Sequence, residues 1–248
     1  MLENTAKWIL FGGVVLGLGF VVLQSPTPKI DVQTQKDADL WAHNIEKNIN
    51  KAAWDKTEII TWSFAKHDHI WDKKRKLHSL TTKHHRIIQS LHSRNGLIKN
   101  GDEDWILASQ KEKDRAYSFW INDSFWLNPL VKLFDEGTKR HIVEIDNKKG
   151  LMVSYMEGGV TPGDSYVWFT DSKYRPVGWK MWVSVIPIGG VGNTWDGWMQ
   201  LSTGAWVSTE HDFGWISLKL SNVQGGQVED IFVLDPFETY CLTFPKDC

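Results

Sequence analysis

Residues 117–129 read YSFWINDSFWLNP, five aromatic side chains flanking an Asn-Asp-Ser centre. If the helical pattern that precedes this stretch runs on through it, Ala116, Phe119, Trp120, Asp123, Trp126 and Leu127 recur at i, i+3, i+4, i+7, i+10 and i+11. That is an apolar face with a carboxylate in its middle. Asp123 is then buried, and it needs hydrogen-bond donors or a shifted pKa, because desolvating a carboxylate unpaired is costly. The alternative is a helix that stops near Asn122, with Asp123 or Ser124 capping the next turn. Both readings make the stretch a core-packing segment with a polar group held inside it.

Working back from this helix, Asn95-Gly96 and Asn100-Gly101 are turn signals, and Asp102 or Asp104 is the expected N-cap. Before them the period is two. Trp62 and Phe64 share one side of a strand that starts near Thr57 and ends at Lys66, and further strands are expected at 69–77 and 84–91, giving an antiparallel meander. Ahead of the meander, Ala38, Trp41, Ala42, Ile45, Ile49, Ala52 and Ala53 keep the 3.6-residue period over four turns, with Asp37 or Asp39 as N-cap.

Beyond Arg140 the chain reads as strands near 140–146, 150–156, 164–170, 176–186, 193–202, 205–212 and 215–221, separated by glycine- and proline-containing turns. Gly189, Gly190 and Gly192 precede no helical pattern, so they form a hairpin loop and not a phosphate cradle. Neither face of these strands is polar: Val177, Trp179, Met181, Val183 and Val185 oppose Trp182 and Ile186, and Val167 and Phe169 oppose Tyr166 and Trp168. A half-solvated antiparallel sheet alternates apolar with polar, so this one is covered on both sides or lines an apolar concavity.

Composition narrows the function classes. The chain has 248 residues, 42% hydrophobic, and 28 Lys and Arg against 30 Asp and Glu, for a net charge of -2. No global positive field exists to draw in nucleic acid. Fifteen tryptophans favour an extensive aromatic core, a hydrophobic ligand cavity or a membrane-facing surface. Residues 8–23 form an uncharged run inside a segment, 1–24, read as an uncleaved signal-anchor: a helix of that length spans about 24 Å against a hydrocarbon core of roughly 30 Å, and no Ala-x-Ala-like site or lipidation cysteine follows. Residues 25–35, with two prolines, are a linker, and 36–248 form the domain. Cys241 and Cys248 are the only thiols. They pair if the domain is translocated, since a short loop separates them.

Chemistry-bearing motifs are few. His67 and His69, at i and i+2 on a strand, share a face and are weak candidates for metal ligands, with Asp72, His84 or His85 to complete a set; the strand geometry, however, puts Asp72 on the opposite face. A Gly-x-Ser-x-Gly elbow is absent, and Asp164 and Asp196 cannot be paired from spacing alone. No cofactor is implied and no catalytic residue is assigned.

The order of hydrophobic segment, amphipathic helix, strands, second helix and Trp-rich meander resembles the LolA/LolB-like lipoprotein-carrier superfamily. So do the phrases His-Ile-Trp-Asp at 69–72, Ile-Asn-Asp-Ser-Phe-Trp-Leu at 121–127, Lys-Leu-Phe-Asp at 132–135 and Gly-Asp-Ser-Tyr-Val-Trp at 163–168. The resemblance covers roughly 35–225 and implies an α+β fold, a long curved antiparallel sheet in an unclosed half-barrel packed on two helices. It further implies a non-enzymatic protein that binds lipid, acyl chains or another hydrophobic molecule at the cell envelope, with the domain on the periplasmic or extracytoplasmic side. Excess rings around a few polar groups point to a ligand site lined by Trp62, Phe64, Phe119, Trp120, Asn122, Asp123, Trp126, Trp168 and Trp182. Two other functions stay open: a structural or assembly protein of the envelope, and a metal-dependent hydrolase using His67 and His69. A protein partner is not identifiable from the sequence.

Overall fold

The computed structural model describes residues 26–30, 34–157, 161–185 and 189–248. The expected anchor at 1–24 lies outside the described residues, as does part of the linker. Among the described residues no helix is long and apolar enough to cross a membrane. In chain order the elements begin with α1 (Gln35–Asn48), α2 (Lys51–Lys56), β1 (Ile59–Phe64), β2 (His67–Asp72), β3 (Leu77–Thr81), β4 (His85–Ser90), β5 (Gly96–Asn100), β6 (Ile106–Leu107) and α3 (Gln110–Leu127). They continue with β7 (Thr138–Ile145), β8 (Lys148–Tyr155), β9 (Asp164–Thr170), β10 (Pro176–Trp182), β11 (Val191–Thr194), β12 (Met199–Gln200), β13 (Trp206–Val207), β14 (Glu210–Asp212), β15 (Ser217–Gly226), α4 (Val228–Ile231) and α5 (Glu238–Thr243). The architecture is mostly unclosed antiparallel sheet with a few helices, in two compact units.

The first unit takes in the described residues among 26–51, 128–198 and 207–218. Its α1 buries Ala38, Ala42 and Ile45 along one stripe, as the period requires. Neither expected cap is used: Thr34 precedes the helix without a side-chain cap, and Asp39 instead accepts from Arg140 Nε at 2.6 Å. The expected single helix to Ala53 is interrupted because Asn50 takes a left-handed conformation, φ 55, which ends one helix before α2 begins.

The strands of this unit form an antiparallel sheet in the order β11-β10-β9-β8-β7, joined as hairpins, including the one at Gly190. Both faces are apolar. One carries Val143, Met152 and Val167 packed with Ile145, Phe169 and Trp182. On the other, Trp168 lies 4.7 Å from Trp179 and 5.0 Å from Trp195, and Tyr166 lies 4.6 Å from Trp179. Val177 departs from its expected side. A bulge between Pro176 and Gly178 shifts the register, and Val177 is exposed; Gly178 permits the close approach, since a Cβ there would sit 2.7 Å from the Asn193 carbonyl oxygen. The strand expected at 193–202 is broken at Gly197, φ 61, into the end of β11 and β12, and the one expected at 205–212 divides into β13 and β14; Gly204 turns between β12 and β13 at φ 94, as expected.

The second unit takes in 52–127, 199–206 and 219–248. Its antiparallel sheet runs β15-β1-β2-β3-β4-β5-β6. A turn with Lys76 at φ 58 divides the strand expected at 69–77 into the end of β2 and the start of β3. Gly96 opens β5 instead of occupying a turn, whereas Gly101 turns at φ 53 as expected. The start of α3 is set by Ser109 and Glu112, neither Asp102 nor Asp104: the Ser109 N–H and hydroxyl donate to Glu112 Oε2, both at 2.7 Å, and the Glu112 N–H donates back to Ser109 Oγ.

This sheet is covered on both sides. On one, Leu80, Ile87 and Ile98 pack with Ala116 and Phe119 of α3. Gln89 is buried there, and with its amide oriented to satisfy both neighbours its nitrogen donates to the Lys113 carbonyl and its oxygen accepts from the Tyr117 N–H, tying the helix backbone to β4. On the other side, Ile59, Leu77, Ile88 and Leu97 pack with Phe237 and Tyr240. The C-terminal tail, which the sequence leaves outside the LolA-like pattern, is therefore part of the core. Cys241 and Cys248 are disulfide-bonded within it.

Candidate functional site

Helix α3 runs unbroken through Asn122 and Asp123, so the continuous-helix reading holds and Asp123 is buried. The alternative stop at Asn122 does not occur. The sheet face beneath it is built by alternation: Trp62 pairs with His69, Phe64 with His67, and Trp71 with His78, and cross-strand partners share a face. Two histidines at i and i+2 therefore point to α3 together with His78 from the neighbouring strand.

These groups converge on one carboxylate. His67 Nδ1 lies 2.8 Å and His69 Nε2 2.9 Å from Asp123 Oδ2, while Asn122 Nδ2 donates to Oδ1 at 2.7 Å. His69 Nδ1 lies 3.0 Å from His78 Nε2, extending the chain one step deeper. Nδ1 of His78, fully buried, has no hydrogen-bond partner among the described residues, and the same is true of the indole N–H of Trp62 and of Trp120. The buried donors and acceptors thus form a short polar path ending in an apolar wall.

Aromatic rings enclose the path. Trp62 stacks on His69 at 4.5 Å and 8°. Phe119 leans on His67 at 4.0 Å, and Trp120 lies 5.2 Å from Trp71 and 6.3 Å from His78. Phe64 stacks on Trp126 at 6.4 Å. Burial pushes the Asp123 carboxyl up, but the hydrogen bonds from His67, His69 and Asn122 outweigh it and hold the group below the usual carboxylate range. Burial lowers His69 despite its bond to Asp123, and lowers His78 further, since His78 has no carboxylate partner to oppose desolvation. Asp123 is thus held ionised and the two deeper histidines neutral.

Of the residues read from the sequence as a ligand site, Trp62, Phe64, Phe119, Trp120, Asn122, Asp123 and Trp126 come together here. Trp168 and Trp182 belong to the first unit, where Trp168 sits in the tryptophan cluster and Trp182 against Val143, Met152 and Val167. The metal set is completed differently from expectation. Asp72 faces away, as strand alternation requires, and accepts from the backbone N–H and Nε of Arg75, and His85 is held by Thr82. It is Asp123 that joins His67 and His69, with one ligand atom of each within 4.8 Å of the others. His78 and Trp71 were not singled out from the sequence. The signal was local alternation in Leu77-His78-Ser79-Leu80, which places His78 beside Leu80 on the face that packs α3.

The buried aromatic clusters are compatible with binding of a hydrophobic ligand. No family model and no curated protein matches the chain. Among solved structures, the crystal structure of a DUF1329 family protein from Desulfovibrio piger is similar over 82% of this chain and 96% of its own, at 10% sequence identity and a TM-score of 0.43. A likeness at that level carries no functional inference.

Proposed function

We propose that this chain is a non-enzymatic binding protein of the cell envelope, tethered to a membrane by its N-terminal run, that holds a lipid, acyl chain or other hydrophobic molecule against the aromatic side of α3. One observation carries the reading: large half-buried rings, Phe64, Phe119, Trp120 and Trp71 among them, surround a small cluster of polar groups centred on a buried carboxylate. That is the composition of ligand sites, in which apolar walls supply affinity and a few polar groups fix orientation. The Cys241–Cys248 bond supports an oxidising, extracytoplasmic location. This LolA/LolB-like reading takes its site from the second unit.

Uptake of a fluorescent fatty acid tests it. The parent protein should bind the probe, and Trp120→Ala should weaken binding about tenfold or more with a stability loss well below the roughly 3–5 kcal/mol of a filled core, because a ring that is partly exposed and faces a ligand space leaves less cavity behind. A parent that takes up no probe, with a Trp120→Ala variant that loses about 3–5 kcal/mol, would mark a filled core and overturn the reading.

A further inference from the structure

We infer that His67, His69 and Asp123 form a site for a divalent transition-metal ion of the zinc class, with His78 as the outer hydrogen-bond partner of one ligand. Two neutral-capable imidazoles and a carboxylate are the donor set that borderline ions select. Both imidazole nitrogens aim at the same carboxylate oxygen, Oδ2, at 2.8 and 2.9 Å. Bond lengths of about 2.0–2.1 Å to a tetrahedral ion would place ligand atoms roughly 3.3 Å apart, so seating the ion opens each nitrogen–oxygen separation by about half an ångström and sets the two imidazole nitrogens, now within 4.8 Å of each other, at that same spacing.

Charge favours the same occupant. The hydrogen-bond partners of Asp123 are His67, His69 and Asn122, none of them a permanent cation, so the buried carboxylate gains a full counter-charge from a bound ion. Access exists on one side: the His67 side chain is 19% exposed, against 0% for His69 and 2% for Asp123. The rings are already oriented, His69 by its stack on Trp62 and His67 by its contact with Phe119. With the ion on Nε2 of His69, the remaining proton sits on Nδ1 and donates to His78 Nε2, the role that outer partners of ligating histidines perform. Three protein ligands leave a fourth position for water or for an anionic group of a ligand.

Calorimetric titration of the chelator-stripped full chain with Zn²⁺, and absorption spectroscopy with Co²⁺, test the site. One ion per chain is expected, with the visible bands of tetrahedral Co²⁺. His67→Ala, at a partly exposed position, should weaken binding by about 100-fold or more, His78→Gln by about 10–100-fold, and His84→Ala, outside the cluster, should leave it unchanged. Circular dichroism of each variant confirms that it is folded. A folded parent that binds no Zn²⁺, or undiminished binding by folded His67→Ala, overturns the assignment.

Discussion

In the first unit Trp168, Trp179 and Trp195 pack ring against ring at 4.7–5.0 Å and are at most 2% exposed, with Tyr166 and His211 at the edges of the cluster. In the second unit Trp62 and Trp120 pack instead against histidines that lead to a buried carboxylate. The same residue type fills a core in one place and insulates a charge in the other. Tryptophan count therefore does not locate a site. What marks the second region is the ionised Asp123, whose desolvation has to be offset by directed hydrogen bonds, and directed bonds fix geometry where ring packing tolerates adjustment.

The largest effect should come from the first region. Trp168→Ala empties a fully buried ring site and should cost about 3–5 kcal/mol in urea unfolding. A loss below about 1.5 kcal/mol would mean the rings are loosely packed and would remove the contrast with Trp120. Next is the charge itself. Asp123→Ala leaves the facing nitrogens of His67 and His69 without an acceptor and should cost about 2–3 kcal/mol, measured in the same way. Stability equal to the parent would show that the hydrogen bonds to Asp123 do not outweigh its desolvation, and would remove the contrast.

A smaller effect concerns the far face of the sheet that carries His69. Reducing Cys241–Cys248, or replacing both cysteines by Ser, should cost about 2 kcal/mol on the chain-entropy model for so short a ring, and Tyr240 ties the same tail to Asp247 at 2.7 Å. Unchanged denaturation midpoints with and without reductant would count against a supporting role for this cover.

The smallest effect contrasts a buried carboxylate with an accessible one. Asp235 receives Arg75 Nη1 at 2.6 Å and Nη2 at 2.8 Å, and these bonds from Arg75 hold its carboxyl below the usual range. Its folded pKa is depressed, so its contribution is fully present above the unfolded carboxylate range near pH 4 and is lost as the pH falls through the lower folded value. Asp235→Asn should therefore cost about 1 kcal/mol at pH 7, reduced by solvent screening, and the difference from the parent should close as the pH is lowered below about 4. A difference that persists unchanged at acidic pH would assign the effect to packing instead of charge.

Much of the scaffold was legible in contiguous sequence because its causes are local. The 3.6-residue recurrence of Ala116, Phe119, Trp120, Asp123, Trp126 and Leu127 made a helix with a buried carboxylate one of two local readings, beside a stop near Asn122, and period-two alternation marked strands with two apolar faces. The Ser109–Glu112 cap was equally local and simply less conspicuous than the nearby aspartates. The break at Asn50 rests on a local preference of Asn for the left-handed conformation that the apolar period running past it masked, whereas the bulge beside Gly178 was not legible, since it depends on the pairing of neighbouring strands.

The sequence by itself determined that His67 and His69 share a strand face and that Asp123 sits in an apolar stripe wherever the helix runs on past Asn122. Only the tertiary structure decided that the helix continues, that these groups meet across separations of 56 and 54 residues, that His78 stands behind His69, and that Asp72, on the opposite face, takes Arg75 as its partner. The physical reason is that periodicity specifies which side of an element a residue occupies. Which residue it then faces depends on strand register and on where α3 settles across the sheet, and those are set by the whole packed unit.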